Sequence, residues 1–330
     1  MSSSGDFAVD GRAAPNGSGS DVPAGEPTLE VDLNGVRFPT PILGASGCFG
    51  SGKEMAELID LRRVGGIVTK SVTLAPRKGL NPPRMAEVSS GMLNAIGLQN
   101  PGVEVVAEDY APRWAAWEVP VIVNIVGESV QDYVAVVRRL EGAPNIAGIE
   151  LNISCPNVGA KGLMFGVDAH LAHQVTAAVR AATARPLIVK LTPNVTDIVS
   201  IARAIVDAGA DALSAVNTYV GMTLDLHSGR PVLANTTGGL SGPAIRPLAM
   251  HAVYTVSRAV SVPVIASGGV MTGDDAVEFL LAGARAVQVG TLNFLRPDAG
   301  RHVLAGVEAH LARRGLASVS ELSTAAVAAG

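Results

Sequence analysis

Four side chains able to do site chemistry follow one another where an apolar segment ends. Residues 149–153 alternate apolar and polar side chains as a β-strand does, and Pro156 stops the strand because proline cannot donate to a sheet ladder. The four are two amides, a hydroxyl and a thiol: Asn152, Ser154, Cys155 and Asn157. A thiol beside amides on a loop can act as a nucleophile or general base. A buried, inert cysteine is the alternative interpretation of this stretch.

Eight short apolar segments alternate with helical patterns along the chain. The segments are residues 42–45, 66–70, 121–126, 148–153, 187–191, 212–216, 264–266 and 286–289. Helical patterns fill most of the gaps, at residues 130–140, 170–184, 198–208, 247–260 and 274–282. Near-continuous apolar strands predict a parallel sheet, and eight strand–helix units predict its closure into a (β/α)8 barrel, the TIM barrel. A doubly wound sheet is the alternative, but the glycine fingerprint of its dinucleotide-binding members is absent.

The two ends of the chain differ in composition from the predicted barrel. Residues 1–26 are rich in Ser, Gly, Ala and Pro, and we expect them to be disordered. Two short strands around Asn34-Gly35 predict an N-terminal β-hairpin. The barrel is therefore predicted over residues 27–315, and residues 316–330 are predicted to form a C-terminal tail or frayed helix.

Composition excludes several classes of function. The net charge is −4 and no basic patch runs along the chain, so we expect no nucleic-acid partner. No apolar run is long enough to span a membrane and the start lacks the features of a signal peptide, so we expect a cytoplasmic protein. Two cysteines, Cys48 and Cys155, are too few to hold an iron–sulfur cluster. His170 and His173 share a helix face without an evident third ligand, so we expect no metal site.

Polar residues gather at the carboxyl ends of the predicted strands, where barrel enzymes carry their chemistry. They include Ser46, Thr69, Lys70, Ser71, Asn124, Asn152, Lys190, Asn217, Thr218 and Ser267. Lys70 and Lys190 lie within apolar segments, where an unpaired ammonium is costly. We therefore expect a polar, ring-shaped ligand with anionic groups to compensate both charges.

Two glycine-rich turns follow the last two predicted strands. Gly268 and Gly269 follow the seventh strand, and Gly290 and Thr291 follow the eighth. Bare backbone N–H groups at these turns predict the phosphate site usual in barrels. Residues 47–53 begin like a P-loop, but Glu54 stands where Ser or Thr must hold magnesium, so we reject that interpretation.

A polar insert lies between the second and third predicted strands. Its residues 94–102 read Asn-Ala-Ile-Gly-Leu-Gln-Asn-Pro-Gly, which is too polar and glycine-rich for the core of a helix. Over a barrel mouth, such a segment suits recognition of a small polar substrate. A plain surface loop is the alternative.

Together, four motifs resemble the dihydroorotate dehydrogenase family. They are Asn-Ile-Ser-Cys-Pro-Asn at 152–157, Thr-Lys-Ser at 69–71, the insert at 94–102 and Gly-Leu-Ser-Gly at 239–242, in the order of the family. The resemblance runs from about residue 27 to the last barrel helix. It implies a flavin-containing (β/α)8 barrel that oxidises dihydroorotate to orotate in pyrimidine biosynthesis. Cysteine rather than serine at position 155, the polar N-terminus and the sequence of the insert are similar to the soluble, NAD-dependent form, class 1B.

The resemblance also implies roles for individual residues around an FMN lying across the barrel mouth. FMN would be bound by Ser46, Lys70, Ser71, Asn124, Asn152, Lys190, Val216, Gly242, Gly268, Gly269, Gly290 and Thr291. The substrate would be held by Lys70, Asn94, Ala95, Ile96, Gly97, Leu98, Asn152, Asn217 and Thr218. Cys155 would be the general base that removes a proton from carbon five while hydride leaves carbon six for the flavin.

The partners that the resemblance implies are a second copy of this chain and an electron-transfer subunit. That subunit would hold FAD and an iron–sulfur cluster and pass electrons to NAD. Three other functions stay open on the sequence alone. They are a related dihydropyrimidine dehydrogenase, a Schiff-base aldolase using Lys190 and a non-catalytic ligand-binding barrel.

Overall fold

The computed structural model describes residues 26–154 and 165–322. Cys155 lies outside these residues, and so do residues 1–25 of the predicted disordered tail. The strands, in chain order, are β1 Val31–Asp32, β2 Arg37–Phe38, β3 Ile42–Gly44, β4 Gly66–Val68, β5 Met85–Val88, β6 Gly91–Asn94, β7 Val121–Ile125, β8 Gly148–Asn152, β9 Leu187–Lys190, β10 Ala212–Ala215, β11 Tyr219–Gly221, β12 Gly238–Ser241, β13 Val264–Ser267 and β14 Ala286–Val289.

Helices connect most of these strands. They are α1 Lys53–Ala56, α2 Val103–Val105, α3 Ala111–Trp114, α4 Val130–Glu141, α5 Ala169–Arg180, α6 Ile198–Asp207, α7 Arg246–Ala259, α8 Gly273–Leu281 and α9 Ala299–Arg314. Side-chain caps fix where several of them begin. The Ser129 hydroxyl, for example, accepts from the backbone N–H of Asp132, whose carboxylate accepts from the backbone N–H of Ser129.

Eight strands close into a parallel barrel in the order β3, β4, β7, β8, β9, β10, β13 and β14. Every residue of β7 and β8 is buried, as expected for strands that have helices outside and packed side chains inside. The predicted (β/α)8 barrel is confirmed. The predicted strands differ from the observed ones by no more than two residues at either end.

The predicted N-terminal hairpin covers the amino end of the barrel. Strands β1 and β2 pair in antiparallel register, and Leu33 and Phe38 are fully buried. The amide of Asn34 in the turn donates to the backbone carbonyl of Asp211, just before β10, at 2.9 Å. The amino end of the barrel is therefore closed, and any site must open at the other end.

The C-terminal segment after α9 pairs with the start of the described chain. The backbone N–H of Thr28 donates to Ala317 O at 2.9 Å, and that of Val319 donates to Thr28 O at 3.0 Å. Val319 and Leu322 are buried against the barrel core. Residues 317–322 therefore pack onto the barrel beside the hairpin.

A four-stranded antiparallel sheet, in the order β11, β12, β6 and β5, stands beside the carboxyl end of the barrel. We call it the rim sheet. Its strands come from two inserts, one after β4 and one after β10, and Leu93, Ala95 and Leu233 form its own small core. The sequence did not predict this sheet. Asn94, the first residue of the polar insert, closes β6, so the insert starts from a strand.

Candidate active site

A cavity of about 590 Å³ opens at the carboxyl end of the barrel beneath the rim sheet. A smaller cavity of about 70 Å³ adjoins it beside the ends of β13 and β14. The two share lining residues, among them Ser46, Lys190 and Asn217. The larger cavity has the size usual for small-molecule and cofactor sites.

Almost all the described residues that the sequence analysis singled out line these cavities. In the larger cavity are Ser46, Lys70, Ser71, Asn94, Ala95, Ile96, Gly97, Leu98, Asn152, Lys190, Asn217 and Thr218. In the smaller cavity are Val216, Gly242, Gly268, Gly269, Gly290 and Thr291. Asn124 lines neither cavity, because its side chain is fully buried below them. Cys155 lies outside the described residues, but its neighbour Ser154 lines the larger cavity.

The smaller cavity is bounded by backbone that only glycine can adopt without strain. Gly268 and Gly269 have φ angles of +131° and +78°. A Cβ atom on Gly268 would lie 2.7 Å from Ala249 Cβ, and one on Gly269 would lie 2.7 Å from Arg246 Cβ. Within the described part of the chain, the backbone N–H groups of these two glycines donate to no protein acceptor. Two free donors in a small cavity suit an anionic oxygen, such as that of a phosphate.

Four side chains form a buried hydrogen-bonded group under the larger cavity: Asn124 on β7, Glu150 on β8, Lys190 on β9 and Gln288 on β14. We call this group the floor cluster. Glu150 Oε1 accepts from Asn124 Nδ2 at 2.6 Å and lies 3.6 Å from Lys190 Nζ. Its Oε2 accepts from Gln288 Nε2 at 2.9 Å, and Lys190 Nζ donates to Gln288 Oε1 at 3.5 Å. The four side chains of the floor cluster therefore supply one another's hydrogen-bond and ion-pair partners inside the barrel.

The floor cluster corrects one expectation from the sequence. We expected a ligand to compensate the charge of Lys190, but the carboxylate of Glu150 does so within the protein. Both side chains are almost completely buried, with 6% and 0% of their surface exposed. An ammonium buried this deeply needs such a partner whether or not a ligand is bound.

Lys70, at the end of β4, is in a different situation. It lines the larger cavity and, among the described residues, makes no ion pair and no side-chain hydrogen bond. Burial lowers the pKa of its ammonium below the usual value, and the charge of Arg84 adds to this effect, whereas Cys48 and Glu54 oppose it. Lys70 is therefore a cation that faces the cavity and has no partner among the described residues, and an anionic ligand group would supply one.

Cys48, which the sequence analysis did not place in the site, lines both cavities. Burial raises the pKa of its thiol to about 11, and the nearby ammonium groups of Lys190 and Lys70 only partly offset this. The thiol therefore stays protonated at neutral pH. Cys48 is poorly suited to act as a base there.

The rim sheet positions the residues on the other side of the larger cavity. The side chain of Asn94 on β6 donates to the backbone carbonyl of Gly239 on β12 at 3.2 Å. Gly239 packs so closely on Thr218 that a Cβ atom there would lie 2.1 Å from Thr218 Oγ1. The backbone carbonyl of Thr218 in turn accepts from Asn194 Nδ2 at 3.0 Å. The amide and hydroxyl groups of this wall are thus held by backbone contacts across the sheet.

Comparison with known protein families is decisive at this point. The family model for dihydroorotate dehydrogenase matches residues 28–311, which is most of the chain. The chain belongs to the dihydroorotate dehydrogenase family. The family resemblance noted from the sequence motifs is thereby confirmed.

Curated relatives from this family match over almost their whole length. Three of them carry the name "Dihydroorotate dehydrogenase B (NAD(+)), catalytic subunit". The relative from Geotalea uraniireducens is 50% identical over 298 residues, which is 90% of this chain and 98% of that protein. The relative from Pelobacter propionicus is 51% identical over 297 residues, covering 90% and 98% of the two chains. The relative from Alkaliphilus metalliredigens is 48% identical over 294 residues, covering 89% and 97%.

The sequence analysis of this dihydroorotate dehydrogenase family member missed Glu150 and Gln288. Both stand inside apolar strands, which is the signal that drew attention to Lys190. It also missed Cys48 and Asn194, since nothing in their local sequence distinguishes them from ordinary loop residues, and it gave Ser241 no role although this residue belongs to the motif at 239–242. In the part of the chain that the structure describes, no helix combines the length and apolarity needed to cross a membrane.

Proposed function

We propose that this chain is the catalytic subunit of an NAD-dependent dihydroorotate dehydrogenase, which oxidises dihydroorotate to orotate in pyrimidine biosynthesis. The observation that carries the proposal is the cavity at the carboxyl end of the barrel. There a small cavity bounded by glycines adjoins Lys70, which has no ion-pair partner in the described part of the chain. The names of relatives about 50% identical over nearly their whole length support the same reaction.

FMN is the flavin we propose for this site. Its phosphate would occupy the smaller cavity at Gly268, Gly269, Gly290 and Thr291, where free backbone N–H groups and the lack of room for a side chain fit a phosphate. The remaining proposed contacts lie in or below the larger cavity: Ser46, Lys70, Ser71, Asn124, Asn152, Lys190, Val216 and Gly242. When bound, the flavin supplies a hydride acceptor, which no side chain of the protein can provide.

The protein itself would hold the substrate and move its proton. Lys70 has no partner among the described residues and suits the substrate carboxylate. The other proposed substrate contacts are Asn94, Ala95, Ile96, Gly97, Leu98, Asn152, Asn217 and Thr218, all of which line the larger cavity. We propose Cys155 as the general base for the proton on carbon five. The support is its place in the sequence directly after Ser154, which lines the larger cavity, and the protonated state of the other cysteine, Cys48.

We also propose an electron-transfer partner subunit that holds FAD and an iron–sulfur cluster and passes electrons to NAD. The words "catalytic subunit" and "NAD(+)" in the names of the relatives support such a partner. The two cysteines of this chain are too few to hold a cluster of its own. A homodimer of this chain and a cytoplasmic location complete the proposal.

The Schiff-base aldolase is disfavoured by the floor cluster. Imine formation needs an amine that is free to attack a carbonyl, whereas the amine of Lys190 is held by Glu150 at 3.6 Å and by Gln288 at 3.5 Å. The related dihydropyrimidine dehydrogenase would not need Lys70 to bind a carboxylate, so substrate choice separates it from the proposed enzyme.

The visible spectrum of the purified chain tests the proposed function. We expect flavin absorbance, either as purified or after addition of FMN, and bleaching when dihydroorotate is added without oxygen. Dihydrouracil, which lacks the carboxylate, serves as the matched control and should leave the spectrum unchanged. A protein that binds FMN but is bleached only by dihydrouracil would overturn the proposed substrate, and one that binds no flavin would overturn the proposal as a whole.

A further inference from the structure

Glu150 is a buried charged group to which the proposed reaction assigns no role. It lies in the middle of β8 with none of its surface exposed, and it lines neither cavity. Lys190 is the member of the floor cluster that reaches both cavities. Any influence of Glu150 on a bound group must therefore act through Lys190 or through the electric field.

The contacts of Glu150 fit an ionised carboxylate. Each of its oxygens accepts a hydrogen bond from a side-chain amide, at 2.6 Å from Asn124 and 2.9 Å from Gln288. Asn124 comes from the adjacent strand β7 and Gln288 from β14 on the opposite side of the barrel, so the two amides fix the carboxylate from two directions. Lys190 Nζ then lies 3.6 Å from Oε1 of Glu150 and 3.5 Å from the side-chain oxygen Oε1 of Gln288. Its ammonium is thereby held at one place in the cavity floor.

We propose that Glu150 is a positioning residue that holds the Lys190 ammonium and offsets its charge, and that it thereby limits how strongly the site favours a reduced flavin. This inference rests on the proposed function, because it assumes that FMN occupies the cavities. It goes beyond that function by assigning to a residue outside the binding site an effect on the redox balance.

The physical argument concerns the net charge under the cavity. Glu150 and Lys190 together are neutral, so they present a bound flavin with a dipole rather than with a full positive charge. Reduction adds negative charge to the flavin, and an uncompensated cation nearby would favour that state in a buried site where screening is weak. Removing the charge of Glu150 should therefore raise the reduction potential, and removing the charge of Lys190 should lower it.

A double-mutant cycle on the FMN-loaded protein tests this inference. The variants are Glu150→Gln, Lys190→Met and the two combined, and the readout is the reduction potential of the bound flavin from spectroelectrochemical titration. We expect Glu150→Gln to favour the reduced form at least tenfold, which is about 30 mV for a two-electron couple. Lys190→Met should shift the balance in the opposite direction. The double variant should return close to the wild type because it removes a neutral pair.

Asp211→Asn provides the matched control. Asp211 also pairs a carboxylate with a cation, the half-buried Arg180, at 2.7 Å, but it lies at the amino end of the barrel, away from both cavities. We expect this variant to lose stability without any change in reduction potential. A shift equal to that of Glu150→Gln would show that the effect is a general response to lost stability, and would overturn the inference.

Further outcomes decide the inference even if a single variant does not fold. An unchanged or lowered potential in Glu150→Gln, with FMN still bound, would overturn it. If that variant fails to fold, the double variant decides, since neutral replacement of both partners of a buried pair is often tolerated. A flavin reduction potential well below that of the wild type in the double variant would mean that Lys190 acts without Glu150, and would overturn the inference. Failure of the wild type to bind FMN would instead count against the proposed function, so the two failures are distinguishable.

Discussion

The floor of the cavity and its rim, the part of the wall where Lys70 follows β4, each contain a lysine. The two lysines have different surroundings. Lys190 in the floor is paired with Glu150 and held by Gln288. Lys70 at the rim is half-buried and, in the described part of the chain, has no ion-pair partner. The floor thus satisfies its charge within the fold, whereas the rim leaves a charge for the ligand. A catalytic cavity can in this way combine a floor whose charges are balanced within the protein with a wall whose charge is balanced only when substrate is bound.

The largest expected effect concerns Cys155, the residue that directly follows Ser154 in the sequence. Cys155→Ala should lower kcat by about 10²–10⁴-fold, the usual contribution of a general base, while FMN stays bound. Cys155→Ser should keep part of the activity, displaced to higher pH, because a hydroxyl is a weaker acid than a thiol. Stopped-flow measurement of flavin bleaching would follow the chemical step directly.

Cys48→Ala is the control for that measurement. The pKa of the Cys48 thiol is about 11, so it carries no thiolate at neutral pH, and we expect a far smaller loss. If Cys48→Ala proved the more damaging substitution and Cys155→Ala kept its turnover, Cys48 rather than Cys155 would be the general base.

The second prediction compares the stability of the two lysine variants. Lys190→Met leaves Glu150 as an unpaired buried carboxylate and should lower the free energy of unfolding by about 3 kcal/mol. Lys70→Met removes a cation that pairs with none of the described residues, so the change should be under about 1 kcal/mol. Urea unfolding of the flavin-free protein measures both. Equal losses for the two variants would contradict the contrast between floor and rim.

The third prediction concerns binding of the substrate. Lys70→Met should weaken binding of orotate and dihydroorotate by about 30-fold, or about 2 kcal/mol, the usual contribution of a hydrogen bond to a charged group. The affinity for FMN should change much less, because its phosphate is expected at the glycine turns. Titration of flavin absorbance with orotate gives the first constant, and flavin fluorescence gives the second. A loss of FMN affinity as large as the loss of orotate affinity would show that Lys70 holds the flavin rather than the substrate.

The smallest expected effect is a pH dependence of substrate affinity, which we assign to Lys70 alone. Burial lowers the pKa of Lys70 below its usual value of 10.5, and the ammonium binds a carboxylate only while it is protonated. Substrate affinity should therefore be complete below this pKa and should fall as the pH rises through it, at lower pH than for an exposed lysine. Lys70→Arg keeps its charge at alkaline pH and should lose this dependence. An identical decline in Lys70→Arg would assign the dependence to another group.

The barrel was predictable because its signal is local. Each strand is a short apolar run and each helix follows with its own period, so strands such as β7 and β8 can be found without knowing their partners. The glycine turns after β13 and β14 were predictable for the same reason, since their positions follow from the strand order. The predicted cavity residues came together because the carboxyl ends of all eight strands meet at one face.

The parts that were missed depend on contacts between distant residues. The rim sheet pairs Asn94 with Gly239, which are 145 residues apart, and its strands are short and partly polar. Glu150 was visible as a charge inside a strand, but its partner Gln288 lies 138 residues away and meets it only when the barrel closes. A local pattern shows that a buried charge needs a partner, and the closed fold decides which residue that is.

The pairing of Thr28 with Ala317 and Val319 has a practical consequence. Thr28 and residues 317–322 lie together at the amino face of the barrel, and the cavity opens at the opposite face. A linker attached beside Thr28 or Leu322 would therefore leave the cavity facing solution. A preparation immobilised in this way on an electrode or a bead would keep its mouth open to soluble electron carriers, so current could be recorded without rebuilding the protein surface.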